Sequence, residues 1–460
     1  MWQVNSLLFK FVKAYIWLGI ALYVVLCIYW GMGADFFNIA NVITLLTYGF
    51  VIWFSCNKPD EYCSDSRLLL TVFIYSVIFV LLFWQVSEYY TGNTFLFSES
   101  DARHYERYSM IMKDMNFDDA LAYISHRWQY DDWGAPMSMA FVLKIIPTKT
   151  FLNFCYVLMN TVSAYCLFDI AKRIMMVKYA YVATLVYAIS SYSIFFQGCF
   201  LKEEIMMFLT ILSFFSFYRY WFSRSLVWLA VALTPGLLLL FFRPVVMLLL
   251  FGGFASLIVL GEKQSSRRFF FVIVLLAGIF AVSTLVQSAA DRYVAGGDVS
   301  ATYIYKTTST FQKIGIAVGA LIGPFPQLFC FTENISNVPF YSTGLLFKFL
   351  LFAPFWIGLL HVIRVRAFVV FPIYVFSVLE TLALIAVLEL EMRKFFPHVP
   401  FFILGAFWYM SQFDEDADDE VQHTSYYIWM NRIMNVSILI VFLLTLAWNV
   451  FRTGHGSSSL

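Results

Sequence analysis

Charge is scarce in this sequence. Lysine, arginine, aspartate and glutamate make up 13% of its 460 residues, against about 25% in an average soluble chain. Hydrophobic residues make up 61%. A soluble protein of this length could not solvate that much apolar surface, so the excess has to face lipid. A net charge of +1 gives no reason to expect a polyanion partner, and no nucleic acid is implied. Cysteine is also sparse. The seven are scattered and lie mostly in apolar runs; Cys56 and Cys63 share a short loop, with no CxxC and no histidine beside them. This argues against a metal site or a disulfide framework. GxGxxG and GxxxxGK[ST] are both absent, so no Rossmann or P-loop signature is present. A matched pair of broken helices in two halves, expected of an inverted-repeat transporter, is not visible either.

What is present is a series of long apolar runs. About 20 such residues cross the hydrocarbon, and roughly 17 suffice. Runs near 11–31, 36–56, 68–87, 149–170, 179–197, 204–221, 226–242, 245–260, 269–287, 340–362, 367–388, 397–411 and 433–451 qualify. The expected fold is an all-α, polytopic transmembrane bundle of about 11–13 spans. The run 313–330 is apolar but broken by Gly315, Gly319, Gly323, Pro324 and Pro326, a pattern of re-entrant or surface-lying segments. The first run lacks a small-residue cleavage site and reads as a span rather than a signal peptide.

Orientation follows from the basic residues of short loops. Lys10 and Lys13, Lys172, Arg173 and Lys178, Arg219 and Arg224, Lys263, Arg267 and Arg268, and Arg364 and Arg366 share one side if the N-terminus is cytoplasmic. The loop 88–136 then lies outside, and the acidic run Asp414–Glu420 lies inside as a solvated loop. The domain reading is two N-terminal spans over 1–67, a membrane core over 68–411 carrying the outer loop, and an acidic loop with the last span over 412–460.

Polar residues inside apolar surroundings need a reason, because a charged residue at a span centre costs roughly 2.5–3.5 kcal/mol on insertion scales. Four groups stand out, all on the expected outer side. The first is Ser98-Glu99-Ser100-Asp101-Ala102-Arg103-His104-Tyr105, followed by a stretch to 125 that reads as an amphipathic interfacial helix. Asp101 is there either a helix N-cap or a general base. The second is Leu201-Lys202-Glu203-Glu204, a polar turn or a phosphate- and sugar-binding group. The third is Arg243-Pro244, a turn marker or a bidentate phosphate ligand. The fourth is the segment Glu389–His398, with Arg393, Lys394 and His398, an interfacial anchor or an anion site. Trp128 and Trp133 in the outer loop are either belt residues or sugar-stacking rings.

SESDARHY after a span, followed by an amphipathic segment, resembles the first outer loop of GT-C-type glycosyltransferases. LKEE, FFRPVVMLLLF, IGPFPQ and EMRKFFPHVPFFILGAFW are similar to stretches of bacterial polysaccharide-assembly membrane proteins. Ser100-Asp101 stands where the family usually has a D-E pair. The resemblance covers roughly 68–411. It implies a GT-C-like fold and sugar transfer, in cell-surface polysaccharide or glycolipid assembly, from a polyprenyl-phosphate or polyprenyl-diphosphate donor to a glycan or lipid-linked acceptor. The active site would face outward, in a bacterial inner membrane. The implied roles are Asp101 and Glu203 in catalysis and Lys202, Arg243, Arg393 and Lys394 on the donor phosphate. Glu99, His104, Tyr105, Trp133 and His398 would contact acceptor or sugar. No cofactor is required; a divalent metal is left open, without ligands to place. The alternatives are a repeat-unit polymerase of O-antigen or capsule type, and a transporter of lipid-linked oligosaccharide.

Overall fold

A computed structural model describes residues 7–30, 36–92, 101–261, 310–323, 325–329, 338–386, 392–415 and 424–454. Among these, all regular secondary structure is helical. Long apolar runs without proline leave the chain little choice in lipid, where every backbone N–H and C=O has to be satisfied within its own segment.

Seven helices are long and apolar enough to cross a membrane. They are α1 (Leu7–Trp30), α2 (Phe36–Cys56), α3 (Asp65–Thr91), α7 (Lys149–Lys172), α10 (Lys202–Ser223), α12 (Pro244–Gly261) and α18 (Thr424–Gly454). Two further runs are helix pairs bent at a short break: α8 (Val177–Ala188) with α9 (Ser191–Gly198) by 45°, and α14 (Val338–Leu350) with α15 (Phe352–Val365) by 42°. With each pair counted as one span, the described residues hold nine. The chain is a polytopic α-helical membrane protein. The remaining helices are α4 (Asp101–Met112), α5 (Phe117–Ser125), α6 (Gly134–Ile145), α11 (Leu226–Leu238), α13 (Thr310–Ile322), α16 (Phe371–Ala386) and α17 (Val399–Glu415).

The expected 11–13 spans exceed nine for physical reasons. The runs 226–242 and 367–388 fold as the shorter helices α11 and α16. The run 397–411 becomes α17, whose residues 399–411 are all buried; it is apolar because it packs against protein. The run 269–287 lies outside the described residues. The single helix expected over 101–125 is two. Asn116 caps the second, its side-chain oxygen accepting from Asp119 N at 2.8 Å.

The centre of the bundle is built from α7, α8, α9, α10 and α17. Residues 179–207 are buried without exception. α10 packs on α7 and α11, α17 on α8 and α15, and α14 on α9. At α14–α9 a Cβ on Gly344 would stand 2.9 Å from Ser190 Cβ and from Ser191 N, so the two backbones meet almost directly, as small residues allow in membrane interfaces. Outside the bundle, α4, α5 and α6 form a small cap whose own cluster holds Met112, Ala120, Ile124 and Ala140.

Candidate functional site

The start of α10 is set by a residue in an unusual conformation. Phe200 has φ +53°, a left-handed value that is a genuine outlier for a bulky side chain. Holding it there costs about 1–3 kcal/mol. Phe200 is fully buried, edge-on to Tyr156 at 5.5 Å and to Trp84 at 6.0 Å. Leu201 is then extended, and Lys202, Glu203 and Glu204 form the first helical turn. Acidic residues favour a helix N-terminus, but these are buried: Glu203 and Glu204 have no exposed surface and Lys202 has 8%. LKEE thus forms the turn into α10, but a buried one.

Two arginines from distant parts of the chain meet at Glu203, and Asp101 and Asp132 join through Arg393 and Lys202. Arg393 Nε lies 3.2 Å from Glu203 Oε1, and an Arg393 terminal nitrogen lies 2.7 Å from Asp101 Oδ2. Arg243 reaches the same Glu203 oxygen at 3.9 Å. Lys202 pairs with Asp132 and also reaches Phe242 O at 3.4 Å. The side chains of Asp101 and Arg393 are 40% and 26% exposed and that of Glu203 is not exposed at all, so the cluster runs from an open side to a closed one. Glu203 Oε2 is buried with no hydrogen-bond partner. Gly134 opens α6 directly under this turn; a Cβ there would collide with the ring of Phe242.

Tyr105, one turn after Asp101, is buried against the cluster. Burial first, then the carboxylates Asp132, Glu203 and Asp101, hold its phenol well above the usual range, with Arg393 opposing. It is therefore a hydroxyl donor rather than a phenolate.

Other expected site residues lie elsewhere. His104 is exposed and stacks on Tyr108 at 5.9 Å. The Trp133 indole nitrogen donates to Trp128 O at 2.8 Å, and its ring packs on the cap's own cluster. His398 is 1% exposed and packs between Phe395 and Phe402. Lys394 is half-buried beside Arg393. Glu99 lies outside the described residues, as do Glu389 and Glu391. Asp132, Lys348 and Glu380 were not assigned a role from the sequence. The last two are lone charges inside apolar runs, and that signal alone could have marked them.

The opposite end of the bundle carries a separate ion-pair set. Asp169 takes Arg173 Nε at 3.0 Å and an Arg219 terminal nitrogen at 2.8 Å, and Lys172 pairs with Asp65 at 2.6 Å. Arg219 is sixteen residues along α10 from Glu203, about 24 Å at 1.5 Å per residue. The two charge clusters are thus separated by most of a hydrocarbon thickness of about 30 Å. Among the described residues no group of three or more His, Cys, Asp or Glu side chains is arranged to hold a metal ion. No family model matches the chain, and no curated protein matches it.

Proposed function

We propose that this protein is a membrane glycosyltransferase that moves a sugar from a polyprenyl-phosphate or polyprenyl-diphosphate donor to an acceptor at the membrane surface. The observation that carries the proposal is the bridging of Asp101 and Glu203 by Arg393, with Arg243 on the same carboxylate. Three acids (Asp101, Asp132, Glu203) are matched by three bases (Lys202, Arg243, Arg393), so the cluster is balanced without ligand. An incoming phosphate competes for the guanidinium groups, whose planar fork suits it. Once Arg393 turns to the phosphate, Asp101 loses its partner and is free to accept a proton.

The acceptor hydroxyl oxygen forms a bond to the anomeric carbon. Its proton passes to Asp101, and the bond from that carbon to the phosphate oxygen breaks, leaving its electron pair on the phosphate. Arg243 and Arg393 stabilise that developing charge. Tyr105 is placed to donate a hydrogen bond. The GT-C-like fold, the outward orientation of the cluster and a bacterial inner-membrane location belong to this proposal.

The test uses purified protein in nanodiscs with labelled polyprenyl-linked sugars and glycolipid acceptors. Wild type is expected to transfer label. Asp101→Asn is expected to lose about 100- to 10,000-fold, the usual contribution of a positioned general base, while keeping its gel-filtration profile. Near-normal transfer by the variant would remove Asp101 from the role. A ladder of products rather than one added sugar would mark a polymerase. The two bent spans that pack on each other favour a transporter as second reading. Transfer in detergent, where no two sides exist, separates enzyme from transporter.

A further inference from the structure

A second basic group lies deeper, outside the cluster just described. Lys348, in the last turn of α14, is 1% exposed. Among the described residues no carboxylate forms an ion pair with it. Its ammonium stands 4.3 Å from the centroid of the Phe402 ring and 5.6 Å from that of Phe395. His398 shares both rings, at 6.1 and 5.6 Å between centroids. It too is 1% exposed, and its Nδ1 is buried with no hydrogen-bond partner.

The backbone around the pair is irregular and fixed. Gly323 has φ +115°, and a Cβ there would collide with Lys348 Nζ. Only glycine lets the ammonium lie against that turn. The next residues are tied down by side chains. Asn449 Nδ2 donates to Pro326 O at 2.9 Å, Asn449 Oδ1 accepts from Leu328 N at 2.7 Å, and Ser342 Oγ accepts from Gln327 N at 3.2 Å. Non-helical backbone inside a membrane bundle persists only where protein or a cavity satisfies it. Gly323 of the IGPFPQ motif and Phe395 and His398 of MRKFFPH therefore meet around one lysine.

Two buried bases beside each other, with no acid, disfavour each other's charge. The Phe402 ring offsets part of the desolvation. An anion would offset the rest, and His398 Nδ1 would gain a partner. We infer that Lys348 and His398 form a second anion site, which takes a phosphate group. Its existence stands on these contacts; the identity of its ligand as the second phosphate of a polyprenyl diphosphate rests on the function proposed above. His398 is five residues beyond Arg393 along one helical stretch, an axial separation of about 8 Å.

The experiment measures binding of labelled polyprenyl monophosphate, polyprenyl diphosphate and inorganic phosphate to the protein in phosphatidylcholine nanodiscs. Lys348→Met is expected to weaken the diphosphate lipid about tenfold, as for loss of one charge-assisted hydrogen bond, and to leave the monophosphate lipid nearly unchanged. Arg393→Met is expected to weaken both lipids. Inorganic phosphate that competes in wild type but not in Lys348→Met also supports the site and makes free phosphate its occupant. Undiminished diphosphate and phosphate binding by folded Lys348→Met overturns the inference, and the proposed function survives if Arg393→Met still loses both lipids. If Lys348→Met does weaken the diphosphate lipid but Arg393→Met loses neither, the second site stands and the proposed function falls. Should Lys348→Met fail to fold, His398→Phe, which keeps an aromatic ring between Phe395 and Phe402, is expected to show the same loss, and its absence counts against the site.

Discussion

Glu203 carries no exposed side-chain surface yet has a guanidinium at 3.2 Å and another at 3.9 Å. Two arginines and a carboxylate hold one another in a site that none would occupy alone. Removing the carboxylate takes this partner from both cations in a poorly solvated place, leaving Arg393 its contact with Asp101. Breaking a buried pair in this way typically costs about 3–5 kcal/mol. Glu203→Ala is therefore expected to lower the melting temperature in detergent markedly, beyond the effect of Glu106→Ala, whose ion pair with Lys149 is partly exposed and worth at most about 1 kcal/mol. Equal melting of the two variants would show that Glu203 is not a structural keystone of the cluster. At this scale the sequence was partly legible. Asp101, Lys202, Glu203, Arg243 and Arg393 stood out as charges where lipid disfavours them, and all five share one cluster. Asp132 as the partner of Lys202 was hidden, because seventy residues separate them and nothing local marks the pair.

Between residue and bundle, the site depends on how three helix starts are placed. α4 begins at Asp101, α10 at Lys202, and the lead-in to α17 at Met392. α6 is wedged against them through Gly134, which lies under the Phe242 ring. Phe242 precedes Arg243, and its carbonyl lies 3.4 Å from Lys202 Nζ. Gly134→Ala should push this ring and the arginine turn outward. Overpacking of that kind costs about 1–3 kcal/mol, and sugar transfer should fall with it while α4 keeps its helicity. Wild-type transfer and melting in Gly134→Ala would show that the turn is not held from below. The helix breaks were the least legible elements. The runs 179–197 and 340–362 read as single spans, but α8–α9 and α14–α15 are bent by 45° and 42°. At the second break Pro354, in the first turn of α15, cannot bond back to Leu350, the last residue of α14, and its ring crowds that carbonyl. At the first break the chain carries Ser190 and Ser191, and Ser191 Oγ accepts from Gly344 N at 2.8 Å where α9 packs on α14. The proline was legible in the sequence; the contact between α9 and α14 was not.

For the whole molecule, what the composition fixed was the solvent. With 61% hydrophobic residues the chain is a membrane protein, and among the described residues most of its ion pairs gather at the two ends of α10. The candidate site draws Asp101, Glu203, Arg243 and Arg393 from four separated segments, so it exists only when most of the bundle has assembled. Parts that act as a unit lose their effect together, and their losses do not multiply. The central claim is therefore tested most directly by sugar transfer from a polyprenyl-linked donor in wild type, Asp101→Asn, Arg393→Met and the double variant, each checked for folding. The account predicts a large loss in each single variant and no further loss in the double. Losses that multiply, or a single variant that transfers at the wild-type rate, would contradict it.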